Sequence, residues 1–364
     1  MKFNINKVDL DKHISIAQKA ISNKSTIQIL EGILFKAVKD QLILTSTDLE
    51  ISVETKVNCD VMEEGSAVIK SNIIGNIIKK MPNDIIEITI ENDNVNIKCQ
   101  KSVFNISSQS SMDFPALPEI EEKVNLTIDN EDLLKAIRET KFATSIDETR
   151  LALTGLLFEL KDNNLKFVGL DGYRMAIKKF DFTSNENFSC IIPKKAFNEL
   201  SKVLDDKTTD VVFMKGHIAF INGNTKIFTR LIDKPYIDYN KILNNSYSTK
   251  VIVNRNDLVN ALERAQLLTT GANASLTKLD FVDGEISINS NSELGKLDEK
   301  IYGKQEGENL RIAFNTKYLT DGLKEMDSDE VVLHLTTPLS PMTIYPVDED
   351  DNYLYLVLPV RLSQ

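Results

Sequence analysis

The sequence predicts an α+β fold made of three tandem copies of one domain, each with antiparallel sheets and two helices on one face. The first observation is a repeat. A helix-like segment leads into an extended apolar segment three times, over His13–Thr55, Leu133–Ile177 and Leu258–Ile301. The strand starts Gly32-Ile33-Leu34-Phe35, Gly155-Leu156-Leu157-Phe158 and Leu279-Asp280-Phe281-Val282 lie 123 and 124 residues apart. The second observation is that each copy has a matching second half, opening at Val68–Pro82, Ile191–Asp206 and Ile312–Asp327. The third is that the strands follow one another through short turns, without the βαβ rhythm that a parallel sheet requires.

Each element follows from its pattern. Apolar residues recur at three- and four-residue steps in six windows: Asn6–Lys24, Lys70–Met81, Asp129–Ala143, Pro193–Leu204, Asn254–Gln266 and Asn315–Met326. That spacing predicts amphipathic helices. Strand-like stretches follow at Ile85–Ile90, Val211–Phe213 and Val331–Leu335. Asn92-Asp93-Asn94, Asp171-Gly172 and Asn222-Gly223-Asn224 are turn signals between strands. A third of the 364 residues is about 121, too long for a solenoid repeat and right for a whole domain. Polar stretches at Glu119–Asn125 and Asn244–Lys250 divide the chain into domains 1–122, 123–246 and 247–364.

Composition excludes several function classes. With 42% hydrophobic and 27% charged residues the chain is an ordinary globular protein, not a disordered one. No apolar run approaches the roughly 18–20 residues of a membrane span, and the start MKFNINKVDLDKH lacks a signal-peptide core, so the cytosol is the expected compartment. Cys59, Cys99 and Cys190 form no C-x-x-C pair, which argues against a disulfide framework or a thiolate zinc site. Phosphate-loop, dinucleotide, nucleophile-elbow and H-E-x-x-H motifs are missing. His13, His217 and His334 sit at unrelated places in the repeat and read as satisfied or exposed imidazoles. The run Asp348-Glu349-Asp350-Asp351 reads as a solvated turn before a last strand. No catalytic residue, metal ligand or cofactor is expected.

Charge is distributed unevenly. The six helical windows hold 17 Lys and Arg against 11 Asp and Glu, a charge of +6; the rest carries −17, making the total of −11. Lys12/Lys19, Lys195/Lys202 and Lys317/Lys324 are spaced by seven, which puts each pair near one helix face. Helices lining a mildly positive surface, with sheets facing away, account for both numbers. The chain ends in Tyr353–Leu362, strongly apolar. Pro359 lacks an N–H and should stop ladder pairing there. An apolar tail beyond a sheet suits a pocket wall or an interface.

Together these residues resemble the bacterial replicative sliding clamp family, the β subunits of DNA polymerase III, over the whole chain. Asp171-Gly172-Tyr173-Arg174-Met175 matches the family's D-G-[HY]-R-[LM], and Leu358-Pro359-Val360-Arg361-Leu362 is close to its M-P-M-R-L ending. Asp113-Phe114-Pro115 and Leu231-Ile232-Asp233 fall in register. The resemblance implies clamp domains with sheets outside and two helices each lining the inside, joined as a head-to-tail homodimeric ring around double-stranded DNA. It implies a processivity factor, not an enzyme, whose partners are the replicative polymerase, the clamp loader and other proteins bearing clamp-binding peptides, with no membrane role.

The same resemblance implies site residues. A peptide pocket between domains two and three would be walled by Leu153, Leu170, Gly172, Tyr173, Arg174 and Met175. Ile237, Ile242, Leu356, Val357, Leu358, Pro359, Val360 and Arg361 would complete it. Members often carry Pro before Asp-Tyr where this chain has Ile237, which keeps that wall apolar. Lys24 occupies the family's basic DNA-contacting loop, and the helix cations Lys12, Lys79, Arg138, Lys194, Lys195 and Lys202 are expected to join it. The equivalent loop of domain two carries Asp147, Leu151 and Ala152, which weakens that contact. Ring closure would set Phe104 and Ile106 against Leu267 and Leu268 of a second copy, with Lys98 and Lys101 near Asp298 and Glu299. The alternative is a metal-dependent nucleotide- or DNA-processing enzyme using carboxylates; a third reading is a peptide-binding scaffold with no DNA role. Metal-dependent turnover would mark the enzyme, and retention on circular DNA would separate clamp from scaffold.

Overall fold

The computed structural model describes residues 1–21, 26–120, 126–184, 186–205, 207–243, 246–268, 276–293, 295–347 and 352–361. Among them run six α-helices: α1 (Lys7–Ala17), α2 (Ser71–Lys80), α3 (Asn130–Lys141), α4 (Lys194–Leu200), α5 (Arg255–Leu267) and α6 (Thr316–Lys324). Short amide or carboxylate side chains start most of them. Asn6 accepts from the Val8 amide, Asp129 from Glu131, Asn254 from Asp257 and Asn315 from Lys317. Each bond satisfies an amide that the helix itself leaves unpaired, typically worth about 1 kcal/mol.

The chain forms two compact units, Met1–Leu133 with Lys195–Leu231, and Leu134–Lys194 with Ile232–Gln364. The middle copy of the repeat is therefore shared between them. The first unit holds a 13-stranded sheet and the second a 12-stranded one, and all ladders among the described residues are antiparallel. In the first unit Thr225–Arg230, from the middle copy, pairs with Ile51–Asn58, from the first. The Thr55 and Thr225 hydroxyls meet there at 2.9 Å, and His13 Nδ1 lies 2.7 Å from Thr55 Oγ1. Burial, and then Lys12, lower the His13 pKa. His217 Nδ1 lies 3.3 Å from the Lys215 carbonyl, and His334 stacks on Tyr247.

Leu10, Ile14 and Ala17 of α1 and Ile74 and Ile78 of α2 close the first unit's largest core. In the second unit Leu258, Ala261, Leu262 and Ala265 of α5 and Leu319 and Leu323 of α6 pack over Val251, Phe281, Ile288, Tyr353 and Tyr355. Turn chemistry follows the sequence. Asn92 and Asp93 both take positive φ, 47° and 62°, as a two-residue hairpin needs, and Gly172 lies at φ +93°.

Four expectations need correction or fall outside the description. The first helical window is shorter than predicted: α1 stops at Ala17 and a 3-10 turn covers Gln18–Ala20. Lys19 is thus off the helix, as is Lys202 beyond α4, so only Lys317 and Lys324 share one regular helix. The third copy's strand begins at Leu276, not Leu279. Thr277 there is buried, with its hydroxyl 2.6 Å from that of Thr316, and a polar residue inside the strand had hidden its start. The 348–351 carboxylate run, Lys24, Leu362 and parts of both polar boundary stretches lie outside the described residues.

Two helical glycines separate steric from conformational effects. A methyl group on Gly322 of α6 would sit 2.2 Å from Cε1 of the buried Tyr355, whereas on Gly75 of α2 it meets only the amide end of Gln18. Gly322→Ala should destabilise the protein by about 1–3 kcal/mol despite better helix propensity. Gly75→Ala should change stability by less than about 1 kcal/mol, because the gain in helix propensity is offset by the hydrogen bond to the Ser71 carbonyl that the Gln18 amide gives up on rotating away. Urea unfolding midpoints check both, and equal shifts would contradict the packing described.

Candidate functional site

Leu153, Leu170, Met175 and Leu356 are buried in one apolar cluster, with Ile242 and Leu358 half-buried against it. They come from the 3-10 segment Glu148–Thr154, the paired strands Asn164–Leu170 and Arg174–Asp181, the strand Tyr353–Val357 and flanking loops. Gly172 makes the turn between the first two strands; a Cβ there would lie 2.8 Å from Arg150 Nη1. Beyond the last strand the chain stays tethered. The Leu358 amide donates to the Tyr173 carbonyl at 2.8 Å and the Val360 amide to that of Ala313 at 2.7 Å. Pro359 and Val360 are half-buried and Arg361 is exposed. Ile237 is 46% exposed, between Tyr236 and Tyr239, which both belong to the cluster.

Two residues expected in the same wall point elsewhere. Val357 belongs to the core beneath α5 and α6, because residues alternate faces along a strand and Leu356 takes the pocket side. Arg174, beside Met175, likewise turns away from the apolar cluster. It is 8% exposed. Its Nε donates to Asp171 at 2.9 Å, Nη1 to Asp321 at 2.8 Å and Nη2 to the Phe142 carbonyl at 3.1 Å. Asp171 also accepts from the amides of Tyr173 and Arg174, which fixes the turn. The guanidinium lies 4.6 Å from the Tyr318 ring centroid, and Tyr318 stacks with Tyr173 at 6.0 Å. Burial opposes the charge, but Tyr355, Asp321 and Asp171 outweigh it and raise the Arg174 pKa.

Phe142, Tyr318 and Asp321 were missed by the sequence reading. Tyr318 and Asp321 are three residues apart on α6, one helical face, but nothing local links Asp321 to a residue 147 positions away.

The expected DNA-contacting cations are mostly paired. Lys12 meets Asp205 at 2.6 Å, Lys202 meets Glu199 at 2.9 Å, Lys195 bonds Asp48 and Arg138 bonds Asp327. Lys79 is exposed and has no ion pair among the described residues. The Lys12 and Arg138 pairs are exposed on both sides and contribute at most about 1 kcal/mol each, so a phosphate can exchange for the carboxylate, whereas the Asp48 carboxylate under Lys195 is buried. Lys194 instead lines a cleft beside Arg174.

Apart from the strands that end each sheet, two strands among the described residues keep part of one side unpaired. In Ser102–Gln109, residues 102–107 pair with Asn94–Cys99, but on the other side only Ser108 and Gln109 have partners. Gly295–Gly307 pairs with Glu285–Ser292 over its first eight residues and with Thr249–Val253 on the other side over its last five. Phe104 is 41% and Leu267 70% exposed; Ile106 and Leu268 are half-buried. Lys98 lies 3.6 Å from Glu87, and Glu299 is bonded by Arg264, so both have partners within their own units.

Replacing Arg174 tests the network. Arg174→Met strands two carboxylates and should cost about 3–5 kcal/mol in urea unfolding. Arg174→Lys should recover only part, since an ammonium cannot serve both carboxylates and the carbonyl with one planar fork. A change within about 0.5 kcal/mol for Arg174→Met would refute the coupling, being the size of an ordinary surface effect.

No group of three or more His, Cys, Asp or Glu among the described residues could hold a metal, and no helix among them is long and apolar enough to cross a membrane. Residues 1–118, 127–238 and 240–361 match the N-terminal, central and C-terminal domains of the DNA polymerase III beta subunit. The chain is 34% identical to the beta sliding clamp of Bacillus subtilis, covering 99% of this chain and 100% of that protein. The crystal structure of the DNA polymerase sliding clamp from Bacillus subtilis superposes with a TM-score of 0.96 at 33% identity over 100% of both chains. A Pseudomonas aeruginosa sliding clamp, DNA polymerase III subunit beta, bound to griselimycin gives 0.95 at 28% identity, again over 100% of both. The chain belongs to the DNA polymerase III beta subunit family, the beta sliding clamps.

Proposed function

We propose that this protein is a DNA sliding clamp, a non-catalytic processivity factor of the cytoplasm with three clamp domains at 1–122, 123–246 and 247–364. Two copies join head to tail in a ring around duplex DNA. The ring tethers the replicative polymerase and admits the clamp loader and other clients through short peptides. The observation that carries this reading is that two strands inside the sheets, at Ser102–Ser107 and Gly295–Tyr302, are unpaired on one side, each next to exposed apolar side chains. An open edge invites another strand. Because the first copy of the repeat carries one edge and the third the other, head-to-tail pairing of two chains leaves neither exposed.

Enclosure explains the charge. A ring that holds DNA by topology needs few phosphate contacts, and many would impose a steep salt dependence and slow sliding. Lys79 and the exchangeable pairs of Lys12 and Arg138, with the exposed ammonium groups of Lys195 and Lys202 and with Lys24, are proposed to supply weak contacts of that kind. The Leu153–Leu170–Met175–Leu356 cluster, with Ile242, Leu358 and the tail Pro359–Arg361, is proposed to accept the Leu or Phe anchors of client peptides. A metal-using enzyme has no support in the family or in the side chains described.

Leu267→Lys with Leu268→Lys would force charge into the ring contact, at a cost of several kcal/mol. Sedimentation at micromolar concentration should give dimers for the unaltered protein and monomers for the double variant; dimers for both would overturn the interface. With the cognate polymerase and loader on a primed circle, the unaltered protein should lengthen the product of each binding event. The monomeric variant should not, and equal product lengths would overturn the clamp reading.

A further inference from the structure

Beside Arg174 opens a cleft of about 700 Å³, walled by Phe142, Tyr173 and Tyr318 and by the segment Thr144–Asp147. Lys194, the first residue of α4, lines it half-buried and has no ion pair or hydrogen bond among the described residues. Three of the cleft's four carboxylates are committed elsewhere. Asp171 serves Arg174 and two backbone amides, and Asp321 serves Arg174 and Lys317. Asp147 accepts from Thr149 and faces Arg150; Glu325, the fourth, makes no ion pair or hydrogen bond with Lys194, and burial raises its pKa. Burial lowers the Lys194 pKa, and Arg174 and Lys141 lower it further.

A half-buried ammonium without an acceptor has lost hydration, and the attraction of Asp321 and Asp171 offsets only part of that loss. An entering carboxylate would supply a charge-assisted hydrogen bond in a partly desolvated place, where such bonds are strongest. We propose that Lys194 is the anion-recognising residue of the peptide site, binding the carboxylate of an Asp or Glu side chain in a client segment. This rests on reading the apolar cluster as a peptide pocket. The cleft and that pocket share a border, since Tyr173 walls the cleft while its carbonyl holds Leu358 of the pocket. The cleft is also partly apolar, with three aromatic rings and Ile146, which is 93% exposed. Those surfaces suit the stem of an amino-acid side chain. A DNA phosphate would use none of them and would favour cations that stand clear of the surface.

The test is calorimetry on the full-length protein with two peptides, each bearing a Leu and a Phe anchor. One carries a Glu, moved through the flanking positions in turn, and its counterpart carries Gln at the same position. The unaltered protein should bind one Glu peptide about 10-fold more tightly than its Gln counterpart, the lower end for a hydrogen bond to a charged group. In Lys194→Met that preference should vanish, and Lys194→Arg should restore most of it. Thermal midpoints should match the unaltered protein, because Lys194 has no partner to lose. A preference that survives in Lys194→Met overturns the proposal while leaving the peptide pocket standing. So does unchanged peptide binding with weakened retention on DNA, which would assign Lys194 to the phosphates. If the unaltered protein binds neither peptide, the pocket reading itself fails and this inference falls with it.

Discussion

The Arg174 guanidinium is the tie on which the second unit's functional face depends. One buried fork holds the Asp171 turn, the carbonyl at the end of α3 and Asp321 of α6. Each group alone would be expensive to bury, and together they satisfy one another. By fixing Asp171, the fork also fixes Tyr173, whose carbonyl anchors the departing C-terminal chain at Leu358. The apolar pocket on one side of the strand and the mixed-charge cleft on the other are therefore set by one interaction. Its planar geometry is what an ammonium could not reproduce.

Much of the fold was legible in the sequence because it is local. Helical stripes such as Ile74 and Ile78 and turn pairs such as Asn92-Asp93 carry their own signal. So do the Asn and Asp caps, once the helix start is known. The start of the third copy's first strand was not legible, because Thr277 is a buried polar residue whose hydroxyl is satisfied by Thr316, 39 positions on. The apolar floor of the pocket was readable from a family motif; the division of its neighbours between two faces was also readable, from strand alternation, but adjacent motif letters concealed it. Phe142, Tyr318 and Asp321 were out of reach, since only the folded chain brings them to Arg174. The same holds for the lysine partners: Lys12 meets Asp205 across 193 positions, and spacing along one helix cannot reveal it.

These pairings change how the basic helices are understood. They do not present a bare positive face, because neighbouring carboxylates occupy most of the ammonium groups. For a protein that must stay on DNA yet move along it, weak and exchangeable contacts are an advantage. In the proposed ring, retention comes from enclosure, and the salt dependence of each contact matters little to residence. The net charge of −11 is compatible with this and would oppose adsorption by charge alone.

The central claim is that DNA is held by topology. The measurement that tests it most directly is retention after the protein has been loaded by its clamp loader and ATP onto a nicked circular plasmid. The account predicts that the protein stays on the circle through a wash at raised salt and leaves within moments of a single cut that linearises it. Persistence on the cut DNA, or loss from the intact circle at the same rate, would contradict it.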